Sequence, residues 1–371
     1  MQKFLSSIAE LFPLEGKRVL VVTGNASYKS SGANDALEPL LKTNEYKYYS
    51  VMQSNPELEE IDHVVNLCRN FNPDIIIAIG GGCVMDIAKA ARFLASQKDD
   101  AGTILASGNY DATIPSSRLT AIPTTAGSGA ESTHFAVMYD SGIKYSLAHE
   151  FVRPDAVVLD EHLTKSVPKK AAAASAMDAM AQAIESHWSV QSTESSRQLS
   201  LKALRLILAN IEASIHTPTA QTRRAMLEGA NLAGQAIDQA FTTAPHALSY
   251  AFTVRFGIPH GEAVGLMLPD FIRFNAALSR EDCNDKRGVG FVQQRLEELL
   301  EVFDQPDSEG IVRRVEELRA SIGLASSIRT EQASDAAKDI AESVNQQRLE
   351  NNPRVVTNSD MTAILQKIIL E

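Results

Sequence analysis

Asp178, Gln182 and Glu185 stand at i, i+4 and i+7, so on an α-helix they share one face within about 40°. Their neighbours Ala174, Met177, Ala181 and Ile184 are apolar, which lets a stripe that would ordinarily be solvated face a cleft instead. Downstream, His246 and His260 are separated by a helical stretch and a Gly257-Ile258-Pro259 break. One carboxylate and two imidazoles suit a Zn²⁺ or Fe²⁺ site with a position open for water or substrate. Taken by themselves, two lone histidines are more often ordinary core or surface groups than ligands. His187, nine residues after Asp178, falls on the opposite helix face and is not read as a ligand.

A second kind of chemistry is suggested by Gly80-Gly81-Gly82, which ends an apolar strand and opens a helix. Backbone N–H groups at such a turn can face a pyrophosphate. Alone, the triplet is also simply a tight turn, and its spacing is not G-x-G-x-x-G. Pro123-Thr124-Thr125-Ala-Gly-Ser-Gly129 adds a second glycine- and hydroxyl-bearing loop after another strand. Two such loops at the carboxyl ends of strands form a ligand crevice and favour dinucleotide binding. Cys83, at the start of the glycine-loop helix, reads as a small buried residue; a lowered thiol pKa is the other reading.

The elements that must position these groups follow from hydrophobic period. Arg18 to Thr23 and Pro73 to Ile79 are apolar on both faces, as buried parallel strands are. Helical spacing runs from Glu57 to Asn70 and from Met85 to Leu94, and further strands are expected at Leu119 to Ile122 and Ala156 to Leu159. After Pro168 the chain turns to helical period without a credible strand, and Gly229, Ala230, Ala233 and Gly234 imply close helix packing. Residues 1–167 are therefore read as a doubly wound, Rossmann-like α/β dinucleotide-binding domain and 168–371 as an all-α domain. Met1 to Arg18 reads as a short amphipathic helix, and Ser359-Asp360 as the cap of a last helix reaching Leu370.

Composition narrows the function classes. The 371 residues are 44% hydrophobic, and 35 Lys and Arg against 46 Asp and Glu give a net charge of −11, the wrong sign for nucleic acid. The apolar run Ile75 to Ile79 is far short of the ~20 residues that span a bilayer. Three cysteines without metal-ligand spacing argue against a disulfide framework, and a cytoplasmic location is expected.

Taken together, these segments resemble the iron-containing (group III) alcohol dehydrogenases. The marks are Gly80-Gly-Gly-Cys-Val-Met-Asp86-Ile-Ala-Lys89, Ile122-Pro-Thr-Thr-Ala-Gly-Ser-Gly-Ala-Glu131, Ala176-Met-Asp178 through Glu185, Pro259-His260-Gly261 and Asn352-Pro-Arg354. The resemblance implies a dehydroquinate synthase-like fold, NADPH or NADH as cofactor, and one divalent metal (Fe²⁺ or Zn²⁺) in the cleft between the domains. It places Gly81, Gly82, Asp86, Thr124, Thr125 and Lys144 at cofactor positions, and Asp178, His246 and His260 at three metal-ligand positions.

Four departures qualify the resemblance. Gln182 stands at the fourth ligand position, usually His, and either loosens the site or leaves three ligands plus water. Tyr250 replaces a proton-relaying histidine and becomes the candidate catalytic group. A phenol with an ordinary pKa of about 10 donates a hydrogen bond but is a poor general base at neutral pH. Gly24 replaces an Asp that repels a 2′-phosphate, which permits NADPH. The extended segment that usually precedes the first helix is missing, leaving a homodimer open as the assembly.

Gln182 and Tyr250 occur together in the phosphonoacetaldehyde reductase branch, which the chain resembles at Thr242 to Tyr250, Trp188 to Val190 and Thr133 to Val137. That branch carries Lys where this chain has Phe241; His134, Arg255 and Lys144 are the cations that could substitute for it. The reading is a metal-dependent NAD(P)H reductase of a small aldehyde, phosphonoacetaldehyde or a close analogue. The alternatives are a general short-chain alcohol or diol dehydrogenase and a dinucleotide-binding protein without redox activity.

Overall fold

The computed structural model describes residues 3–370 except 6, 11–13, 54, 112 and 141–142. The chain divides into two compact units, Met1–Val167 and Pro168–Glu371.

The first unit is built on strands β1 (Lys3–Leu5), β2 (Arg18–Gly24), β3 (Glu45–Val51), β4 (Ile75–Gly80), β5 (Arg118–Pro123), β6 (Phe135–Asp140), β7 (Ile143–Ala148) and β8 (Ala156–Val158). Its helices are α1 (Ser27–Ser30), α2 (Ala33–Leu41), α3 (Leu58–Phe71), α4 (Gly82–Ala95) and α5 (Ala101–Ser107). Six strands form a parallel sheet in the order β1-β8-β5-β4-β2-β3, while β6 and β7 pair separately as an antiparallel hairpin. Alternate residues divide the sheet between two cores. Leu20, Val22, Ile76 and Ala78 pack with α3 and α4, whereas Val19, Val21, Ile77 and Ile79 pack with Leu37 and Leu41 of α2. Each such Val, Leu or Ile side chain, fully buried, contributes about 1.5–3 kcal/mol. Strand order reverses between β2 and β4, so the crevice of a doubly wound sheet opens at their carboxyl ends, at Gly24 and Gly80.

The amino terminus differs from its sequence reading. Lys3–Leu5 form a strand paired with Ala156–Val158, and a single 3-10 turn follows at Ile8–Glu10. The free edge of β8 satisfies the backbone of an extended segment, and this overrides the weak amphipathic period. An extended segment therefore does precede the first helix.

The second unit is predominantly helical: α6 (Lys169–Trp188), α7 (Glu194–His216), α8 (Ala220–Ala240), α9 (Ala244–Phe256), α10 (His260–Ala276), α11 (Val289–Phe303), α12 (Ser308–Ser321), α13 (Ala333–Ser343), α14 (Gln346–Leu349) and α15 (Asn358–Ile368). Two-residue strands β9 (Ile328–Arg329) and β10 (Ile369–Leu370) pair in parallel, a small exception to an all-α unit. The cap of α15 is Thr357, in a reciprocal box with Asp360, two residues earlier than Ser359-Asp360 implied. Helix α6 is buried on all sides from Ala176 to Trp188. At Gly229 a Cβ would meet Ile207 of α7 at 2.8 Å, which explains the small-residue pattern of α8 by packing alone. Among the described residues no helix is long and apolar enough to cross a membrane.

Candidate active site

In the first unit, the carboxyl ends of β4 and β5 bring the two glycine loops together. Thr124 donates its backbone N–H to the Gly80 carbonyl at 2.9 Å. A Cβ on Gly82 would lie 2.9 Å from Ser128 Oγ, and one on Gly81 3.6 Å from Thr125 Oγ1. Gly24 ends β2, the neighbour of β4, and a side chain there would collide with Ser27. Gly24, Gly81, Gly82, Thr124 and Thr125 thus share one sheet edge, with the amino end of α4 directed at it, the arrangement that receives a pyrophosphate.

Asp86 lies one turn into α4. Burial raises its carboxyl pKa, against the pull of Lys89, the Val137 N–H and Lys144. Lys89 is fully buried and donates to Ala130 O and Thr133 Oγ1, both at 2.8 Å, and to Asp86 Oδ1 at 3.3 Å. Asp86 and Lys144 therefore meet in a charge network tying α4 to the β6–β7 hairpin. Burial pushes the Cys83 thiol up, opposite to an activated cysteine.

In the second unit, the α6 stripe faces inward: Asp178, Gln182 and Glu185 are all buried. Glu185, with no exposed surface, accepts from Thr243 N at 2.7 Å and Thr243 Oγ1 at 2.9 Å. Pro245 lies in the first turn of α9, and this carboxylate sits at the helix start, Ala244, where the helix dipole favours negative charge. Two residues on, His246 places Nδ1 against Glu185 Oε1 and Nε2 3.1 Å from Asp178 Oδ1. Gly257, left-handed at φ 64°, closes α9, and Pro259 starts α10 with His260 as its first residue. His260 Nε2 lies 3.9 Å from Asp178 Oδ1, and its Nδ1 is 3.2 Å from Ser249 Oγ. Gly261 lets α10 sit directly on α6, since a Cβ there would run into the Ala174 carbonyl and lie 2.8 Å from Asp178 Cβ.

Ligand atoms of Asp178, His246 and His260 all lie within 4.8 Å of one another. Burial drives His246 toward the neutral form, but the Glu185 and Asp178 carboxylates outweigh it and hold the imidazole up to about 9. Burial also raises Asp178, yet the His246 hydrogen bond, the nearby His260 and Gln182 bring it below the usual carboxylate range. An inward Nε2, with the outer nitrogen on a carboxylate, is the arrangement of a metal-ligating histidine. The donor set therefore fits a divalent metal, and Gln182 is hydrogen-bonded to Asp178 beside it.

Tyr250 stacks on the His260 ring, with centroids 5.0 Å apart and planes at 19°. His187 is buried against Ser200 and Glu298, at 3.0 and 2.9 Å, and has a structural role. Sequence reasoning included Glu185 in the stripe without seeing that it orients His246, and it passed over Arg348, whose guanidinium lies 5.1 Å from the Tyr250 ring centroid. The only cue to Arg348 was its place just before Asn352-Pro-Arg354. A second cluster, Asp160, Glu161 and His162, lies on a turn of the first unit where His162 is bound by its own two neighbours.

Residues 2–161 match the family model of iron-containing alcohol dehydrogenase, and residues 172–369 that of the Fe-containing alcohol dehydrogenase family, C-terminal. Phosphonoacetaldehyde reductase of Streptomyces viridochromogenes is 34% identical over 342 residues, covering 89% of this chain and 84% of that protein. Sulfoacetaldehyde reductase of Bilophila wadsworthia is 28% identical over 371 residues, covering 96% and 93%. An iron-containing alcohol dehydrogenase from Thermotoga maritima superposes with a TM-score of 0.82 at 26% identity, covering 99% and 97%. The sulfoacetaldehyde reductase of Bifidobacterium kashiwanohense in complex with NAD⁺ shares the fold at a TM-score of 0.86 and 24% identity, covering 99% and 96%.

Proposed function

Because the chain belongs to the iron-containing alcohol dehydrogenase family, an NAD(P)-linked group of oxidoreductases, we propose that it reduces a small aldehyde bearing an anionic group, phosphonoacetaldehyde or a close analogue, to the primary alcohol. The observation that carries this reading is the convergence of Asp178, His246 and His260 with Glu185 behind His246. The relatives named for phosphonoacetaldehyde and sulfoacetaldehyde support the choice of substrate class.

In this reading Asp178, His246 and His260 hold a divalent metal, Fe²⁺ or Zn²⁺, with Gln182 completing or shaping the site. When bound, such an ion supplies Lewis-acid polarisation of the carbonyl, where negative charge develops during hydride attack. Glu185 keeps the His246 Nδ1 proton engaged so that Nε2 stays directed inward. Gly81, Gly82, Thr124 and Thr125 seat the NAD(P)H pyrophosphate, Asp86 and Lys144 brace the adjoining hairpin, and Gly24 leaves room for a 2′-phosphate. Tyr250, ring against His260, donates the proton to the product oxygen through its hydroxyl or a bound water. The protein is read as cytoplasmic, with a homodimer left open as its assembly.

The test is NADPH and NADH oxidation by purified protein with phosphonoacetaldehyde and with butanal, each with and without added Fe²⁺ or Zn²⁺. Faster, metal-dependent turnover of the phosphonate is expected. Turnover of butanal alone refutes the substrate class, and full turnover by metal-free His260→Ala protein refutes the metal role.

A further inference from the structure

Helix α14 is one turn, anchored by Leu349 in the core that also holds Leu248 and Phe252 of α9. The preceding residue, Arg348, is half-buried and lies over the Tyr250 ring. Tyr250 in turn stacks on His260. Among the described residues, the Arg348 guanidinium has no hydrogen bond and no ion pair. Three other cations of the second unit are paired: Arg255 to Asp339 at 3.0 Å, Arg354 to Asp282 at 2.7 Å, and Lys170 to Glu262 at 3.5 Å. Arg255, one of the substitutes considered for the absent lysine, is among these paired cations. An arginine held on an aromatic face keeps its forked N–H donors available to a ligand.

We infer that Arg348 is the specificity-determining cation of this site, binding the tetrahedral oxyanion of the substrate, a phosphonate or sulfonate, while the aldehyde is turned toward Asp178, His246 and His260. The inference rests on the anionic-aldehyde reading above and gives that reading a residue. A protein of net charge −11, with Asp178 and Glu185 buried beside the site, repels an anionic substrate unless a local cation offsets them. A guanidinium does so with two parallel hydrogen bonds to two oxygens of the anion. Contact with Tyr250 limits the freedom Arg348 loses on binding. Tyr250 then serves as a platform for the cation as well as a proton donor.

The experiment compares wild type, Arg348→Leu, Arg348→Lys and Tyr250→Phe, all loaded with the same divalent metal. It measures kcat and KM for phosphonoacetaldehyde, sulfoacetaldehyde and butanal, and calorimetric binding of 2-hydroxyethylphosphonate. For Arg348→Leu, the ratio of kcat/KM on the anionic aldehydes to that on butanal is expected to fall by on the order of a hundred-fold, mainly through KM, with a parallel loss of product affinity. Arg348→Lys should recover part of the ratio, since it keeps charge without the fork. Tyr250→Phe keeps the ring and should keep the ratio while kcat falls. The two anionic arms separate phosphonate from sulfonate as the preferred group. If wild type prefers anionic aldehydes and Arg348→Leu retains that preference, the role of Arg348 is overturned and the proposed function stands. If wild type reduces butanal and neither anionic aldehyde, the proposed function falls and takes this inference with it.

Discussion

Glu185 engages the Nδ1 side of His246, so that His246 can turn only Nε2 toward Asp178. Glu185→Gln keeps the shape and removes the charge. It is expected to weaken metal retention by about 10- to 100-fold, as loss of an outer carboxylate partner does elsewhere. Metal content after dialysis against graded chelator reads this directly, and unchanged retention would show that Glu185 only caps α9.

Metal uptake should also be coupled to protons. In metal-free protein His246 holds its proton up to about 9, so an incoming cation must displace it and affinity should rise from pH 6 to 9. The folded-state pKa lies above the unfolded value of about 6.5. The matching stability of the metal-free fold is therefore fully present below about 6.5 and lost as pH rises through about 9. Denaturant unfolding of metal-free protein across this range checks the sign, and a midpoint rising toward pH 9 would contradict it.

Gly82→Ala places a Cβ 2.9 Å from Ser128 Oγ, where the two glycine loops lean together. A stability loss of about 1 kcal/mol is expected from the overpacking, together with a raised KM for NAD(P)H and little change in metal content. Thermal unfolding and cofactor kinetics would separate these effects, and an unaltered cofactor KM would remove this loop from the binding surface.

Phe241 closes α8 at φ 57° and ψ 175°, a region that favours glycine, and is about one-third exposed. Its neighbours hold it there, since Asn351 Nδ2 donates to both Ala240 O and Thr242 O, each at 2.9 Å. Strain of this kind costs about 1–3 kcal/mol. Phe241→Gly should therefore raise the melting temperature by roughly 2–4 °C, whereas Phe241→Lys should not. A lower melting temperature for the glycine variant would show that ring contacts outweigh the backbone strain.

Much of the scaffold is visible in the residues because burial is nearly complete. Val19 to Val22 and Ile75 to Ile79 are apolar on both faces and could only be interior strands, and the α6 stripe stands out against alanine and methionine. β3 escaped notice because it lies at the sheet edge, where Glu45-Tyr-Lys-Tyr-Tyr carries no apolar alternation. The Lys3–Leu5 strand was hidden because three residues cannot establish a period. Arg348 could not be singled out in advance, because what distinguishes it is an unshared guanidinium on Tyr250, and sequence does not show which arginines lack carboxylate partners.

Gly261 brings the main chain of α10 against that of α6, with the Ala174 carbonyl where a side chain would begin. The separation between Asp178 and His260 is consequently fixed by two backbones rather than by rotamers, so the bite of the pocket is set before any donor atom is chosen. On the proposed reading, neighbours such as Gln182 can then be exchanged at constant spacing, and the chemistry of an ion held there becomes adjustable independently of the frame around it.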